Sequence, residues 1–229
     1  MGEYVPSAPV SDEARRRNGS LPGQGGVFNY VNLHVYHYAG NNPVRYVDPN
    51  GRDIYLTGQF SKVTLAFINQ YSRSQYTIGS DGRLIPAGGD PNQSGSKTYS
   101  EAIDSIINNS SVKVTIMTSL AIRLPTGSTL YPGVYGEGAT VPPEGTGLEN
   151  EWLVAVSGRS NSALRDQNRG KLTKTPAEIL IHEIVGHTLP QIQGRNDDNA
   201  DTLENVVRGE LNIPLVEVRP DHKAKTNSE

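Results

Sequence analysis

Apolar residues recur every three or four positions in some segments of this 229-residue chain and alternate with polar residues in others. The first pattern is typical of helices with one buried face, and the second of half-buried strands. The predicted elements are strands at 53–57, 112–117 and 152–156, a hairpin at 75–87, and helices at 61–71 and 100–108. Between them, residues 124–149 are crowded with proline and glycine and are predicted as a long loop.

The last third of the chain has the clearest helix signals. Thr175-Pro176-Ala177-Glu178 forms a capping box with proline at the first helical position, and the helix should end at Pro190. A second helix is predicted from near Asp198 to just before Pro214. We therefore expect an α+β domain with a small mixed or antiparallel sheet, in which an edge strand at 152–156 could pair with an extended peptide.

Composition excludes several classes of protein. The formal charge of −3 leaves no basic field to attract nucleic acid, and no apolar run approaches the roughly 20 residues needed to span a bilayer. The first nine residues lack the features of a signal peptide. Because the chain has no cysteine, any metal must be held by His, Asp or Glu.

His182-Glu183-Ile184-Val185-Gly186-His187 is the segment with the strongest chemical content. In zinc hydrolases two neutral histidines bind the metal, and an adjacent glutamate accepts a proton from the attacking water. We expect His182 and His187 to be ligands and Glu183 to be the general base. The alternative is that both are structural helix residues. His34 and His37, three apart in a predicted strand and so on opposite faces of it, are interpreted as structural.

The two histidines are five residues apart, whereas a spacing of four places both on one face of an α-helix. On a regular helix a spacing of five separates them by about 140°. A π-type insertion would restore a common direction, and Gly186 could permit the required backbone geometry.

Glu204, on the next predicted helix, is the expected third ligand, with Arg208 four residues later positioned to hold its carboxylate. The alternative is an ordinary exposed Glu204 paired with Arg208. Asp201 and His222 are reserve ligands, and His222 could instead stabilise the oxyanion, as could a loop tyrosine.

The H-E-x-x-G-H pattern is similar to that of the dipeptidyl peptidase III family of zinc peptidases, in which the helix accommodates a one-residue insertion. Residues 32–38 (NLHVYHY), with Asn41-Asn42-Pro43 and Asp48-Pro49-Asn50-Gly51, resemble the closing segment of RHS-repeat proteins. From His182 onwards, HEIVGHTLP and the pairs that follow it up to Pro220-Asp221-His222 resemble metallopeptidase toxin domains attached to such proteins.

The prolines, basic run and glycine-rich stretch of residues 1–26 predict a flexible leader. The resemblances imply an RHS-associated tail over 27–52 and a zincin-like toxin domain over 53–229. They imply a zinc-dependent endopeptidase that is secreted or delivered into a target cell, where it cleaves a protein. The implied partners are that substrate, an immunity protein and the RHS shell. A zinc hydrolase acting on a non-peptide bond and a non-catalytic docking module remain the alternatives.

Overall fold

A mixed four-stranded sheet lies at the centre of the residues that the computed structural model describes, 53–89 and 94–223. They all belong to one unit of the chain, residues 50–229. The strands are β1 (Asp53–Leu56), β2 (Gln75–Ile78), β3 (Leu84–Gly88), β4 (Lys113–Thr118), β5 (Ile122–Arg123), β6 (Thr129–Leu130), β7 (Gly138–Val141), β8 (Glu151–Val156), β9 (Asn161–Arg165) and β10 (Lys171–Lys174). The predictions for residues 1–52, including His34 and His37, lie outside the described residues.

Several of these strands follow one another directly in the chain, and the helical segments lie between such groups of strands, in agreement with the predicted α+β class. The helical segments are α1 (Ser61–Tyr71), α2 (Lys97–Ile107), a 3-10 helix (Pro132–Tyr135), α3 (Pro143–Thr146), α4 (Pro176–Ile181), a π-helix (His182–Thr188), α5 (Leu189–Ile192) and α6 (Ala200–Glu210). None of the helices in the described ranges is long and apolar enough to cross a membrane.

The central sheet has the order β1-β4-β8-β7. The first three strands run parallel, and β7 is antiparallel to β8 at the edge. The prediction that residues 152–156 form the edge strand is wrong, because β8 lies between β4 and β7. Its run of five buried residues is typical of a strand covered on both faces.

The predicted loop at 124–149 is also wrong in part, since it contains β6, the 3-10 helix, β7 and α3. Strand β7 has the sequence Gly-Ala-Thr-Val, too short and too small in its side chains to stand out from the flanking glycines and prolines.

Successive side chains of β8 point to opposite faces of the sheet, and each face packs against a separate apolar cluster. Trp152, Val154 and Val156 pack with the helices in the larger cluster, which includes residues of α4 and the π-helix. Leu153 and Ala155 face a smaller cluster formed with the β5-β6 hairpin. The π-helix is thereby fixed against one face of the sheet, next to β7.

Candidate metal centre and active site

The predicted helix irregularity is present and lies at the motif itself. Helix α4 begins at the predicted capping box, where the Thr175 hydroxyl accepts a hydrogen bond from the Glu178 amide at 3.3 Å. The helix then changes to the π form over His182–Thr188, in which hydrogen bonds join residues five apart. As a result, the Nε2 atoms of His182 and His187 lie 3.2 Å apart.

Gly186 has a different role from the one predicted. Its backbone is not in the left-handed region, so glycine is not needed there for its dihedral freedom. A Cβ at this position would instead lie 3.0 Å from the Ala200 Cβ and 3.1 Å from the Ala200 carbonyl oxygen. Gly186 therefore allows the start of α6 to pack closely against the π-helix.

A third imidazole, that of His222, completes a triangle with the other two. The ring centroid of His222 is 4.9 Å from that of His182 and 5.1 Å from that of His187. All three residues offer ring nitrogens within 4.8 Å of one another. The His222 carbonyl accepts a hydrogen bond from the Ala200 amide at 2.9 Å, which ties this C-terminal segment to the start of α6.

Asp201 orients His222. Its Oδ1 lies 2.9 Å from Nδ1 of His222, which also contacts the Arg219 guanidinium. Because the ionised Asp201 carboxylate can only accept hydrogen bonds, its contact with Nδ1 is a hydrogen bond when Nδ1 carries the proton and donates it to Oδ1. Arg219 donates three further hydrogen bonds to the two Asp201 oxygens, at 2.8 to 3.1 Å. These bonds occupy the acceptor positions of Asp201.

Glu204, the predicted third ligand, lies behind His182 rather than beside both histidines. Its Oε2 is 2.7 Å from Nδ1 of His182, on the opposite edge of the ring from the nitrogen that faces His187. One imidazole cannot direct both nitrogens at the same ion, so this arrangement does not place Glu204 in the group of His182 and His187. The reserve candidate His222 takes that place.

The Glu204 carboxylate is completely buried, so it is not the ordinary exposed glutamate of the alternative interpretation. Lys174 Nζ lies 2.5 Å from Oε2, and the predicted contact with Arg208 is present, with Nη1 3.1 Å from Oε1. Burial opposes ionisation, but the hydrogen bond with His182 and the Lys174 charge lower the pKa of Glu204 to about 2.

Burial and the nearby Lys174 charge lower the pKa of His182 to about 4, so its imidazole is neutral at pH 7. The ionised Glu204 accepts a hydrogen bond from the protonated Nδ1 of His182, which leaves the Nε2 lone pair directed toward His187. A histidine with this proton arrangement is the form that binds a metal, and a carboxylate on its other nitrogen is the usual supporting contact.

Glu183 is buried beside the same ring pair. Burial raises the pKa of Glu183 to about 7, although a hydrogen bond from the Thr140 hydroxyl to Oε2, at 2.9 Å, partly opposes the rise. Thr140 is the third residue of β7, so the edge strand fixes the orientation of this carboxyl group. A group with a pKa near 7 is suited to accept and return protons at neutral pH.

The spacing of the imidazoles fits a zinc ion. Two nitrogens that are each 2.0 to 2.1 Å from a tetrahedral ion lie about 3.3 Å apart, close to the 3.2 Å between His182 and His187. A second group of potential ligands, His182, Asp201 and Glu204, is less suitable. Its carboxylates already contact the cationic side chains Lys174, Arg208 and Arg219.

A cleft of about 1190 Å³ opens above these residues. Gly138, Thr140 and neighbouring residues of β7 line one side, and the three histidines line another. The 3-10 helix contributes the exposed side chains of Val134 and Tyr135. The cleft therefore brings a sheet edge next to the potential metal ligands.

Comparison with known proteins gives no relative on which to base an assignment: the chain matches no family profile, no curated protein and no solved structure at a significant level. The resemblances to RHS-repeat proteins and to toxin metallopeptidases therefore stay predictions, and the site must be interpreted from its own geometry.

Sequence reasoning missed three residues of this site, Thr140, Lys174 and Arg219. Thr140 stands in a short strand without a recognisable pattern. Lys174 had a detectable signal, because it follows Leu172 at the alternate, inward-facing position of the strand just before the capping box. A lysine at such a position is unusual unless it is paired.

Proposed function

We propose that this protein is a zinc-dependent endopeptidase of zincin-like organisation, with His182, His187 and His222 as the ligands and Glu183 as the general base. The observation that supports it best is the convergence of the His182 and His187 Nε2 atoms, 3.2 Å apart, on the π-helix that also holds Glu183. A zinc ion held there would polarise a carbonyl group and activate water for attack on it. The fourth coordination position would be open to water or substrate.

The protein's own residues divide the remaining work. Glu204 and Asp201 accept hydrogen bonds from the Nδ1 atoms of His182 and His222, which fixes the rings with their other nitrogens free to bind the ion. Glu183 accepts the proton that water loses and returns it to the leaving amine. Thr140 holds the Glu183 carboxyl group in place for both transfers.

Strand β7 supports a peptide as the substrate. It is one of the two edge strands of the central sheet and pairs only with β8 within residues 53–89 and 94–223. An extended peptide can add to such an edge through main-chain hydrogen bonds. Because Thr140 of β7 also contacts Glu183, a peptide aligned along this edge would pass close to the general base.

The biological setting rests on the sequence resemblance alone. We include in the proposal an effector that acts on a protein of a target cell, with an immunity protein in the producing cell and an RHS shell as the parent protein. The metal centre and the peptide cleft do not depend on that setting, so the chemistry can be tested separately.

Zinc content and proteolysis together test the proposal. The purified protein should contain about one zinc per chain, and His222→Gln should lose most of it, whereas the adjacent Lys223→Gln should not. Incubation with a lysate of target cells should create new peptide termini with the wild type and none with Glu183→Gln, which retains the ligands. Undiminished cleavage by Glu183→Gln would refute the role of the general base, and zinc-free active protein would refute the metal.

A further inference from the structure

Lys174 occupies an unusual position for a lysine. Along β10, exposed and buried residues alternate, and Lys174 shares the buried side with Leu172. Its side chain is only 4% exposed. The register with β9 shifts between Leu172 and Lys174. An ammonium group is rarely buried in this way unless a carboxylate lies directly against it.

The partner of Lys174 is the Glu204 carboxylate, which lies behind His182. Its Nζ lies 2.5 Å from Glu204 Oε2, the same oxygen that lies 2.7 Å from Nδ1 of His182. Arg208 contacts the other oxygen, Oε1. Its Nη1 donates hydrogen bonds to both Glu204 and Glu178. Lys174 is thus the cation placed at the oxygen that orients His182.

Glu204 is the one residue that connects Lys174 to His182, a proposed ligand of the metal centre. With both donors present, Oε2 contacts Lys174 Nζ and His182 Nδ1 together, and the ring presents Nε2 toward His187. Without Lys174, Oε2 would keep one of its two partners, and a buried carboxylate would be less well neutralised. The carboxylate could then move, and the ring would lose a fixed orientation.

We propose that Lys174 is a positioning residue for the zinc centre, acting by holding Glu204 against His182. The proposal rests on the proposed function, because it assumes that His182 binds zinc.

The test is the zinc dissociation constant, measured at pH 7 by competition with a chromophoric chelator. Lys174→Met keeps the length of the side chain and removes the charge, and should weaken zinc binding by about 10- to 100-fold. Lys174→Arg retains a cation and should restore most of the affinity. Lys171→Met, on an exposed position of the same strand, is the matched control and should bind as the wild type does.

If Lys174 strengthens zinc binding by holding Glu204, its effect on the affinity should depend on the Glu204 carboxylate. In a Glu204→Gln background, Lys174→Met should therefore weaken binding by little more than Glu204→Gln alone, and additive losses would refute the proposal. If Lys174→Met does not fold, Glu204→Gln alone serves, and unchanged zinc affinity in that variant would refute the positioning contact.

The outcomes separate this inference from the proposed function. A wild type that binds zinc together with a Lys174→Met variant of equal affinity would overturn the role of Lys174 and leave the metal centre intact. Two zinc ions per chain in Lys174→Met would also overturn the positioning role, because the lysine would then exclude an ion rather than orient a ligand. A wild type that binds no zinc would overturn the proposed function itself.

Discussion

Replacing Gly138 with alanine should disturb the proposed general base without touching a metal ligand. Gly138 is the first residue of β7, and a Cβ there would lie 2.7 Å from Glu183 Oε1, 3.0 Å from its Cγ and 2.6 Å from the Ile179 Cγ2. These distances are well below ordinary van der Waals contact. Because both neighbours are buried side chains, the Glu183 carboxyl group or the edge strand must move.

The substitution should lower both the stability of the fold and the rate of hydrolysis, and the loss of rate should be the larger effect. Adding a methyl group to a filled site typically destabilises a protein by about 1–3 kcal/mol. With a typical free energy of unfolding of about 5–15 kcal/mol, most of the protein would remain folded. A displacement of catalytic groups on the order of 1 Å can reduce the rate by about 100-fold. Hydrolysis should therefore fall by about 10- to 100-fold, much more than any loss of folded protein can explain.

Gly133→Ala is the matched control, since the nearest atom to its added Cβ would be Glu137 Oε2 at an ordinary 3.6 Å. Both variants should be compared with the wild type by urea unfolding, zinc content and peptide hydrolysis. Gly138→Ala should keep its zinc and lose activity, whereas Gly133→Ala should keep both. Wild-type stability and activity in Gly138→Ala would refute the packing of β7 against Glu183.

Three further predictions concern the buried charges. Thr140→Val removes a hydrogen bond that lowers the pKa of Glu183, so the acidic limb of kcat/KM against pH should move to higher pH, and an unmoved limb would contradict the contact. Arg208→Met leaves Glu178 and Glu204 without their guanidinium partner and should lower the free energy of unfolding by about 3–5 kcal/mol in urea titrations; a loss below about 1 kcal/mol would contradict the buried network. In zinc-free protein, burial raises the pKa of Glu183 from its ordinary 4.5 to about 7, so its stabilising contribution is full below pH 4.5 and is lost as pH rises through 7. Relative to Glu183→Gln, the wild type should lose about 3 kcal/mol between pH 4.5 and pH 8 in urea titrations, and parallel stability curves would exclude the shift.

The sequence allowed the local features of α4 and the π-helix to be predicted because they depend on neighbouring residues. The N-cap at Thr175 and the need for an irregular turn between His182 and His187 follow from the sequence alone, and both are present. The predicted end of this helical stretch at Pro190 is wrong, since α5 includes Pro190 in its first turn. Proline is tolerated where a new helical turn begins.

The proposed third ligand was harder to predict because its position depends on contacts between distant segments. Glu204 and His222 are each a suitable residue type, and spacing along the chain cannot decide which one joins the pair on the π-helix. The choice depends on Lys174 and Arg208 holding Glu204 behind His182, and on Asp201 and Arg219 fixing the segment that bears His222. In the same way, the edge strand was misplaced because strand order in a sheet is a tertiary property.

Anomalous diffraction at the zinc edge, from crystals of the purified protein, tests the central claim most directly. We predict one peak in which the Nε2 atoms of His182 and His187 are both direct ligands, with His222 as the third protein ligand and Glu204 outside the coordination sphere. A peak bound by Glu204 in place of His222 would contradict the ligand assignment. Crystals grown with zinc that show no peak between His182 and His187 would contradict the metal centre as a whole.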